Sequence, residues 1–277
     1  MLVTGASTGI GYATAVALRN SGAVVYAGVR SDADAGRLRQ LGEGVRPLML
    51  DVTDTRQIEA AAGRIRADPV PLAAAVCNAG IALGGPLEFI PLDRLRYQLE
   101  VNLIGALATA QAVLPMLRET KGRLILIGSI SGRITPPFIG PYAASKAALA
   151  ALTDALRMEL DSSGSGVSVS LFEFGSLRTP IWEKGERTAE RMERDAPAEQ
   201  RRYYGFLVPT LRKNLAHEAK HGTDVAVAAR AIVNAALGKR PRERYVMAGG
   251  AKAGAMMAAV LPTRARGKLL RRVMGLP

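Results

Sequence analysis

The sequence predicts an α/β fold: a doubly wound parallel sheet of seven strands with helices on both faces, in a single domain. Short apolar runs rich in β-branched residues alternate with longer helical stretches along the chain. These runs are continuously apolar, as expected when both faces of a parallel sheet are buried. The 277 residues contain no Pro/Gly/Ser-rich linker before about residue 180. Together these observations indicate a Rossmann-type arrangement.

The elements follow one another in chain order. We expect strands at Leu2–Val3, 24–29, 45–50, 72–76, 123–127, 167–172 and 245–247. The stretches between them predict helices at Gly9–Asn20, Thr55–Arg66, 92–117, 143–160 and 224–237. Each connection between parallel strands must cross over the sheet, which covers both of its faces with helices.

Two segments break the alternation. Residues 180–222 are charged and irregular, and they leave the carboxyl end of the sixth strand, where open parallel sheets bind ligands. We expect this segment to form a lid over a substrate. Residues 1–250 would form the main domain including the lid, and residues 251–277 a basic C-terminal extension that packs on or near the substrate cleft.

Composition limits the classes of protein to consider. Of the formal net charge of +13, the last 39 residues carry +9. Such a tail meets nucleic acid, an anionic membrane surface or only solvent. Cys77 is the single cysteine, so no intrachain disulfide forms, which fits a reducing compartment. The sequence shows neither a signal peptide nor an apolar run of about 18 residues. We therefore expect a cytoplasmic protein, with peripheral membrane contact through the basic C-terminus as the alternative.

A glycine-rich turn joins the first strand to the first helix. Glycines there let backbone N–H groups approach a pyrophosphate at the helix N-terminus. The predicted cofactor-binding residues of this turn are Thr4, Gly5, Ser7, Thr8, Gly9 and Ile10.

The end of the second strand indicates which dinucleotide binds. An NAD-binding unit places an acid there to hold the ribose 2′-hydroxyl. This sequence has Arg30 instead, a cation that suits a 2′-phosphate, and so favours NADP(H) over NAD(H). Asp32 lies two residues further on, and Arg30 as a solvated loop charge is the alternative.

Two further strand ends face the same edge of the sheet. Asp51 and Val52 end the third strand, and Asn78, Ala79 and Gly80 end the fourth. Adenine and its ribose would rest against these residues.

Tyr142 and Lys146 lie at the start of a long helix. Their spacing of four puts both on one face, one turn apart. An ammonium and a positive nicotinamide both favour the phenolate, so we expect the pKa of Tyr142 to be lowered. Ser129, which ends the fifth strand, could hydrogen-bond the reacting oxygen.

These motifs together resemble the short-chain dehydrogenase/reductase family. The match comprises Thr4-Gly5-x-x-x-Gly9-x-Gly11, Asn78-Ala79-Gly80, Asn102, Ser129, Tyr142-x-x-x-Lys146 and Thr179. It covers about residues 1–180 and the last helix and strand near 224–248, which implies that residues 1–250 form a dinucleotide-binding catalytic domain.

The resemblance implies a role for each matching residue. Tyr142 would transfer the proton, and Lys146 would bind the nicotinamide ribose and lower the tyrosine pKa. Ser129 would polarise the oxygen, and Asn102 would hold a water that links Lys146 to solvent. Gly175 and Thr179 would lie near the carboxamide, although Phe174-Gly175 replaces the family's usual Pro-Gly.

The C-terminal pattern resembles that of the hydroxysteroid and retinol dehydrogenase-like members, as does Thr179-Pro180-Ile181-Trp182. This implies a hydrophobic alcohol or ketone such as a steroid, retinoid or lipid. Family members form homodimers or homotetramers through the helices that contain Asn102 and Tyr142. The alternative is a non-catalytic NADPH-binding regulatory or nucleic-acid-binding protein. The intact catalytic set argues against it, so we expect no nucleic-acid partner.

His217-Glu218-Ala219-Lys220-His221 matches the zinc-protease pattern H-E-x-x-H. The chain has only these two histidines, and the segment ends at Gly222. A zinc site needs a third ligand and a stable helix. We therefore expect a solvated helix and no metal.

Overall fold

The chain folds around one seven-stranded sheet. In the computed structural model, residues 1–181, 190, 194, 196–205 and 208–276 are described. The strands are β1 (Leu2–Val3), β2 (Val25–Val29), β3 (Val45–Met49), β4 (Ala74–Cys77), β5 (Arg123–Ser129), β6 (Ser168–Phe174) and β7 (Arg244–Met247). Their order is β3-β2-β1-β4-β5-β6-β7, and every neighbouring pair is parallel. The predicted single-domain Rossmann-type fold is confirmed.

Helices connect the strands and follow the last one. They are α1 (Gly9–Asn20), α2 (Asp32–Arg39), α3 (Thr55–Arg66), α4 (Leu92–Leu99), α5 (Gly105–Thr120), α6 (Gly140–Ser162), α7 (Ala198–Tyr204), α8 (Val208–His221), α9 (Val225–Leu237), α10 (Ala251–Val260) and α11 (Thr263–Val273). Several begin where the sequence provides a cap. Asp224, for example, accepts a hydrogen bond from the Ala226 N–H at the start of α9.

The sheet separates two hydrophobic cores because successive residues of a strand point to opposite faces. Leu124 and Leu126 of β5 face one core, which α3, α5 and α6 complete. Ile125 and Ile127 face the other, which α1, α2 and α9 complete. This arrangement explains why the strand sequences are continuously apolar.

Several element boundaries differ from those expected. β5 and β6 each run two residues past their predicted ends, because Gly128 and Ser129 pair with Glu173 and Phe174. β4 begins two residues later than expected, and β3 ends at Met49, so Asp51 lies just beyond that strand. The predicted helix at 143–160 begins three residues earlier, with Pro141 in its first turn, where its missing N–H costs nothing.

The expected helix at 92–117 is a composite run that continues to Thr120. It consists of α4, one π-helical turn at Glu100–Ile104, and α5. By length and composition this run could cross a membrane, contrary to the expectation from apolar run length. Half of its most apolar window is buried inside the protein. Its α5 part packs against α3, β4 and β5, as a core helix does.

The segment expected to be irregular, 180–222, contains two helices in its described part. They are α7 and α8, so the expectation of irregular structure was wrong there. These helices are rich in charged residues and are therefore hard to recognise in the sequence. Most side chains of the two helices are at least partly exposed, so the apolar stripe is weak. Residues 182–189, 191–193, 195 and 206–207 of the expected lid lie outside the described residues.

The C-terminal extension folds back toward the carboxyl end of β5. A β-carbon on Gly254 of α10 would lie 3.1 Å from side-chain atoms of both Ile130 and Ile134. Asn214 of α8 donates a hydrogen bond to the Met274 carbonyl just after α11 (3.2 Å). The extension therefore contacts both the segment after Ser129 and the second lid helix.

Candidate active site

The glycine turn is shaped for a close backbone approach. Gly5 (φ 63°) and Gly9 (φ 57°) have left-handed backbone conformations. A β-carbon on Gly11 would lie 2.3 Å from the Gly5 carbonyl oxygen, so only glycine fits there. Ile10, next to it, packs against the core.

The N-terminus of α1 is left without a side-chain cap. Thr8 is the N-cap residue, but its side chain makes no capping hydrogen bond. The first N–H groups of a helix lack intrahelical partners and attract anions. Ser7 and Thr8 thus lie beside free donors, which fits a bound pyrophosphate.

Thr4 and Asn78 tie the glycine turn to the end of β4. The Thr4 hydroxyl accepts hydrogen bonds from the N–H groups of Asn78 (3.0 Å) and Ala79 (2.9 Å). The Asn78 amide donates to the carbonyls of Thr4 (2.9 Å) and Gly5 (3.2 Å). These residues shape the two walls of the predicted cofactor edge.

Arg30 follows β2 at the position expected for selecting the dinucleotide. Its guanidinium is exposed and lies 3.9 Å from the Asp51 carboxylate. Asp51 also accepts hydrogen bonds from the backbone and hydroxyl of Thr53. Val52 is buried, and its carbonyl oxygen would lie 2.6 Å from a β-carbon on Gly105. Val52 thus packs on the start of α5.

Arg37 is a second cation at this edge. It donates a hydrogen bond to the Ser7 carbonyl in the glycine turn (3.3 Å) and pairs with Asp34. A hydrogen bond from Ser31 lowers the pKa of the Asp34 carboxyl, and Arg37 and Arg30 lower it further. Arg37 was not expected at this site from the sequence, because its contact with Ser7 spans 30 residues. The signal available in the sequence was a second arginine, on a helix, seven residues after Arg30.

Ser129, Tyr142 and Lys146 lie together at the carboxyl end of β5. The Ser129 hydroxyl accepts a hydrogen bond from the Ser131 N–H (3.1 Å) and lies near enough to Tyr142 to influence its pKa. The Lys146 ammonium lies 5.8 Å from the centre of the Tyr142 ring and donates to the Ile127 carbonyl (2.7 Å). A β-carbon on Gly80 would lie 3.7 Å from the same nitrogen. The end of β4 therefore meets the catalytic trio.

Burial dominates the pKa values of Tyr142 and Lys146. It raises the pKa of Tyr142 above its usual value of 10.0, and the nearby Ser129 hydroxyl opposes that rise. It lowers the pKa of Lys146 from 10.5 to about 8. The direction for Tyr142 is opposite to the one expected from sequence, which counted on a nicotinamide charge beside the phenol. In the protein alone, desolvation outweighs the opposing effect of Ser129.

Asn102 and Gln98 hold the loop after β4. Asn102 donates to the Ile81 carbonyl (2.9 Å) and the Ser145 hydroxyl (3.0 Å), and its oxygen accepts from the Ile81 N–H (2.8 Å). Gln98 donates to the Ile81 carbonyl (2.7 Å) and accepts from the Leu83 N–H (2.7 Å). The Asn102 oxygen keeps one lone pair for another donor. The sequence analysis missed Gln98, although it lies four residues before Asn102 in the same helical run.

Gly175 and Thr179 occupy the turn after β6. A β-carbon on Gly175 would lie 2.4 Å from the carbonyl oxygens of both Ala248 and Gly249, so a larger residue cannot fit. The Thr179 side chain lies beside Gly9, 3.6 Å from where its β-carbon would be. Phe174, which replaces the usual proline, continues β6 by pairing with Ser129 and Met247. The turn therefore reaches the glycine loop.

The two histidines lie on one face of α8. Their rings are 4.5 Å apart. Among the described residues, no group of three or more His, Cys, Asp or Glu side chains is placed to hold a metal ion.

Comparison with known proteins identifies the family. Residues 1–190 match the profile of the short chain dehydrogenases, which is well over half of the chain. The chain belongs to the short-chain dehydrogenase family. It is therefore an oxidoreductase of that family.

Relatives of known activity include reductases and a hydroxysteroid dehydrogenase. A 3-amino-tetrahydro-pyrrolizinone reductase from Xenorhabdus hominickii is 39% identical over 74% of this chain and 70% of its own. An NADPH-dependent 3-dehydrocapnine reductase from Ornithobacterium rhinotracheale is 33% identical over 89% of this chain and 87% of its own. Human 17-beta-hydroxysteroid dehydrogenase type 1 is 37% identical over 66% of this chain and 58% of its own.

Solved structures match nearly the whole chain. A short-chain dehydrogenase from Streptomyces avermitilis has a TM-score of 0.77 and 28% identity, covering 98% of this chain and 97% of its own. A short chain dehydrogenase from Burkholderia cenocepacia, in complex with NADP, has a TM-score of 0.72 and 26% identity. That match covers 100% of this chain and 97% of its own.

Proposed function

We propose that the protein is an NADP(H)-dependent oxidoreductase that transfers a hydride between nicotinamide and a carbonyl or alcohol carbon of a hydrophobic substrate. One observation carries the proposal. The Ser129–Tyr142–Lys146 trio lies at the same end of the sheet as the uncapped N-terminus of α1 and its glycine turn. A bound nicotinamide supplies the hydride chemistry.

Tyr142 is the proton donor in reduction. Because burial raises its pKa, it stays protonated at neutral pH and can give a proton to a developing alkoxide. The Ser129 hydroxyl lies near Tyr142 and would hold the same substrate oxygen in position. Lys146, with a pKa of about 8, is mostly an ammonium at pH 7 and stabilises the phenolate that remains. Asn102 fixes the loop beside Lys146, and its remaining lone pair suits a water that returns the proton.

Two cations support a preference for NADP(H). Arg30 and Arg37 flank the end of β2, where an NAD-binding unit would place a free acid. The Asp34 carboxylate pairs with Arg37 and accepts a hydrogen bond from the Ser31 hydroxyl. It is therefore a weaker acceptor for a ribose hydroxyl. A relative named NADPH-dependent and a neighbour in complex with NADP support the same assignment.

Reversing the charge of Arg30 tests this preference. In Arg30→Asp, we expect the affinity for NADPH relative to NADH to fall about 10- to 100-fold, because hydrogen bonds to charged groups contribute about 1.5–3 kcal/mol. Fluorescence titration with both cofactors measures the ratio. The control Arg39→Asp makes the same charge change at the far end of α2. It should leave the ratio of the affinities for NADPH and NADH within about twofold, because exposed charges contribute little. An unchanged ratio in Arg30→Asp would exclude Arg30 as the selector.

An aromatic cluster supports an apolar substrate. Tyr204 of α7 contacts the rings of Phe89 and Phe138 edge-on, at 6.0 and 6.1 Å between centroids. Its hydroxyl donates to Glu88 (2.8 Å). Phe138 lies between Ser129 and Tyr142 in the chain, so the first lid helix closes onto the segment that carries the catalytic residues. Steroid, retinoid and lipid-like ketones or alcohols fit such a wall.

Exposed apolar side chains on the central helices favour a homodimer or homotetramer. Tyr97 and Ile104 on the α4–α5 run, and Leu152 and Met158 on α6, are each more than a third exposed. Association of two copies would bury these side chains. Light scattering of the purified protein gives its mass in solution, and a monomer would contradict this assembly.

A substrate panel tests the proposed activity. Wild-type protein and Ser129→Ala are given NADPH with steroid ketones, retinal and long-chain aldehydes or ketones, and loss of NADPH fluorescence is followed. We expect consumption by the wild type with at least one class, and at least about a 100-fold slower rate in Ser129→Ala, as for loss of one polarising donor. Failure to bind NADPH, or consumption that does not depend on Ser129, would refute the proposal.

A further inference from the structure

An open cavity lies between the C-terminal helix and the segment that joins Ser129 to Tyr142. Its volume is about 440 Å³. One wall comprises Thr135 and Pro137, and the other is a face of α11 that includes Arg264, Lys268, Leu270 and Arg271. Among the described residues that line the cavity, three are cations and none is an acid. It lies outside the cofactor edge, which is formed by the ends of β1 to β4.

The three cations are spaced to act together. Arg264, Lys268 and Arg271 follow one another at intervals of four and three residues, so they share one side of α11. Their mutual repulsion destabilises the helix unless an anion lies among them. The first turn of α11 adds further donors, because its N-cap is Pro262 and no side chain caps it.

Several arginines near the sheet are neutralised by carboxylates, whereas the cavity cations have no such partner among the described residues. Arg46, Arg133, Arg157 and Arg244, for example, each form an ion pair with a carboxylate. None of the cavity cations forms an ion pair within the part of the chain that the structure describes. Glu243 is the last acid in the sequence, so the extension contains no acid to pair with them.

We propose that this cavity binds a phosphate-like, multiply charged oxyanion at the far end of the substrate, whose apolar part contacts Pro137 and Leu270. The assignment of the anion to the substrate rests on the proposed function. The anion site itself rests on the cavity and its charges. The protein would therefore act on an amphiphilic alcohol or ketone with an anionic terminus.

The shape of the site favours a small anionic group over a membrane as the source of the anion. The three cations line an indentation between α11 and the Pro137 segment and not a flat surface. Leu269 and Val273 are exposed on roughly the opposite side of α11. That arrangement also suits a helix lying on a membrane, so vesicle binding is one outcome of the test.

Direct binding tests the site without turnover. Decyl phosphate, below its micelle concentration, and inorganic phosphate are titrated calorimetrically into the full chain saturated with NADPH, so that the cofactor edge is filled. The double variant Arg264→Gln/Lys268→Gln is compared with Lys239→Gln/Arg240→Gln, which removes the same charge from an exposed loop before β7. We expect decyl phosphate to bind the wild type at least about fivefold more tightly than phosphate, since apolar burial adds to affinity. We expect at least about a tenfold weakening in the cavity variant, where charged hydrogen bonds are lost, and less than twofold in the control.

Three outcomes would overturn the proposal. Equal weakening in both double variants would mean nonspecific attraction to a basic tail. Equal affinity for the two ligands would mean that the site takes a free anion and not an amphiphile. Vesicles that contain phosphatidic acid are titrated in parallel, and binding to them without binding of either soluble ligand would mean a membrane contact. A chain that fails to bind NADPH is titrated without it, so that failure of the proposed function is recorded separately from failure of the anion site.

Discussion

Lys146 provides a prediction whose size follows from the structure. The side chain is 5% exposed, and its pKa falls from 10.5 in the unfolded chain to about 8 in the folded protein. Below pH 8 both states hold the proton, and burying the ammonium costs a constant amount. Between pH 8 and 10.5 the unfolded chain holds more of the proton, so stability rises with pH. Above pH 10.5 both states have lost the proton, so the cost of burying the ammonium has vanished.

Replacing Lys146 with methionine removes this dependence. A shift of 2.5 pKa units corresponds to about 3.4 kcal/mol over the whole window. Between pH 7 and pH 10 the stability of the wild type should therefore rise by about 2.5 kcal/mol relative to Lys146→Met. Urea unfolding at pH 7, 8, 9 and 10 gives this difference, since other titrating groups are common to both proteins.

The control is Lys239→Met, which replaces an exposed lysine before β7. It should follow the wild type at every pH. A constant difference between wild type and Lys146→Met across the range would contradict the reasoning, because it would mean that the buried amine keeps its ordinary pKa.

Two further predictions concern groups beside the site. Cys77 is buried, and burial raises the pKa of its thiol to about 12, so only about one part in 10,000 is thiolate at pH 8. Ellman's reagent should therefore label Cys77 only in urea. Rapid labelling of the native protein would contradict its burial. Glu173 is 1% exposed and receives two hydrogen bonds from Arg133 (2.9 and 2.6 Å), so Glu173→Gln should lower the free energy of unfolding by about 3 kcal/mol. Glu243→Gln, whose side chain is 71% exposed, should cost less than about 1 kcal/mol, and equal losses in the two variants would refute the importance of the buried pair.

Sequence periodicity was sufficient for the sheet because the strands are buried on both faces. It failed at strand ends, where pairing partners decide the boundary. Gly128 and Ser129 extend β5 although neither is a strong strand former, because β6 supplies their partners. The helices α7 and α8 were not predicted, because their charged surfaces lack a clear apolar stripe.

The placement of Ser129, Tyr142 and Lys146 together was predictable because a helical spacing of four and a strand end fix them locally. The long-range contacts around these residues were not predictable from the sequence. Arg37 reaches Ser7 across 30 residues, and Arg133 reaches Glu173 across 40. Such contacts depend on the order of strands in the sheet, which one sequence does not specify. The pKa of Tyr142 also depends on burial that only the folded chain reveals.

Tyr142→Phe tests the central claim most directly. The variant keeps the ring and removes the hydroxyl that lies near Ser129. With the best substrate of the panel, we expect kcat to fall about 100- to 10,000-fold, the usual worth of a general acid. The Kd for NADPH should stay within about threefold, because the hydroxyl acts on the substrate oxygen. A variant that turns over within tenfold of the wild type would show that another group moves the proton.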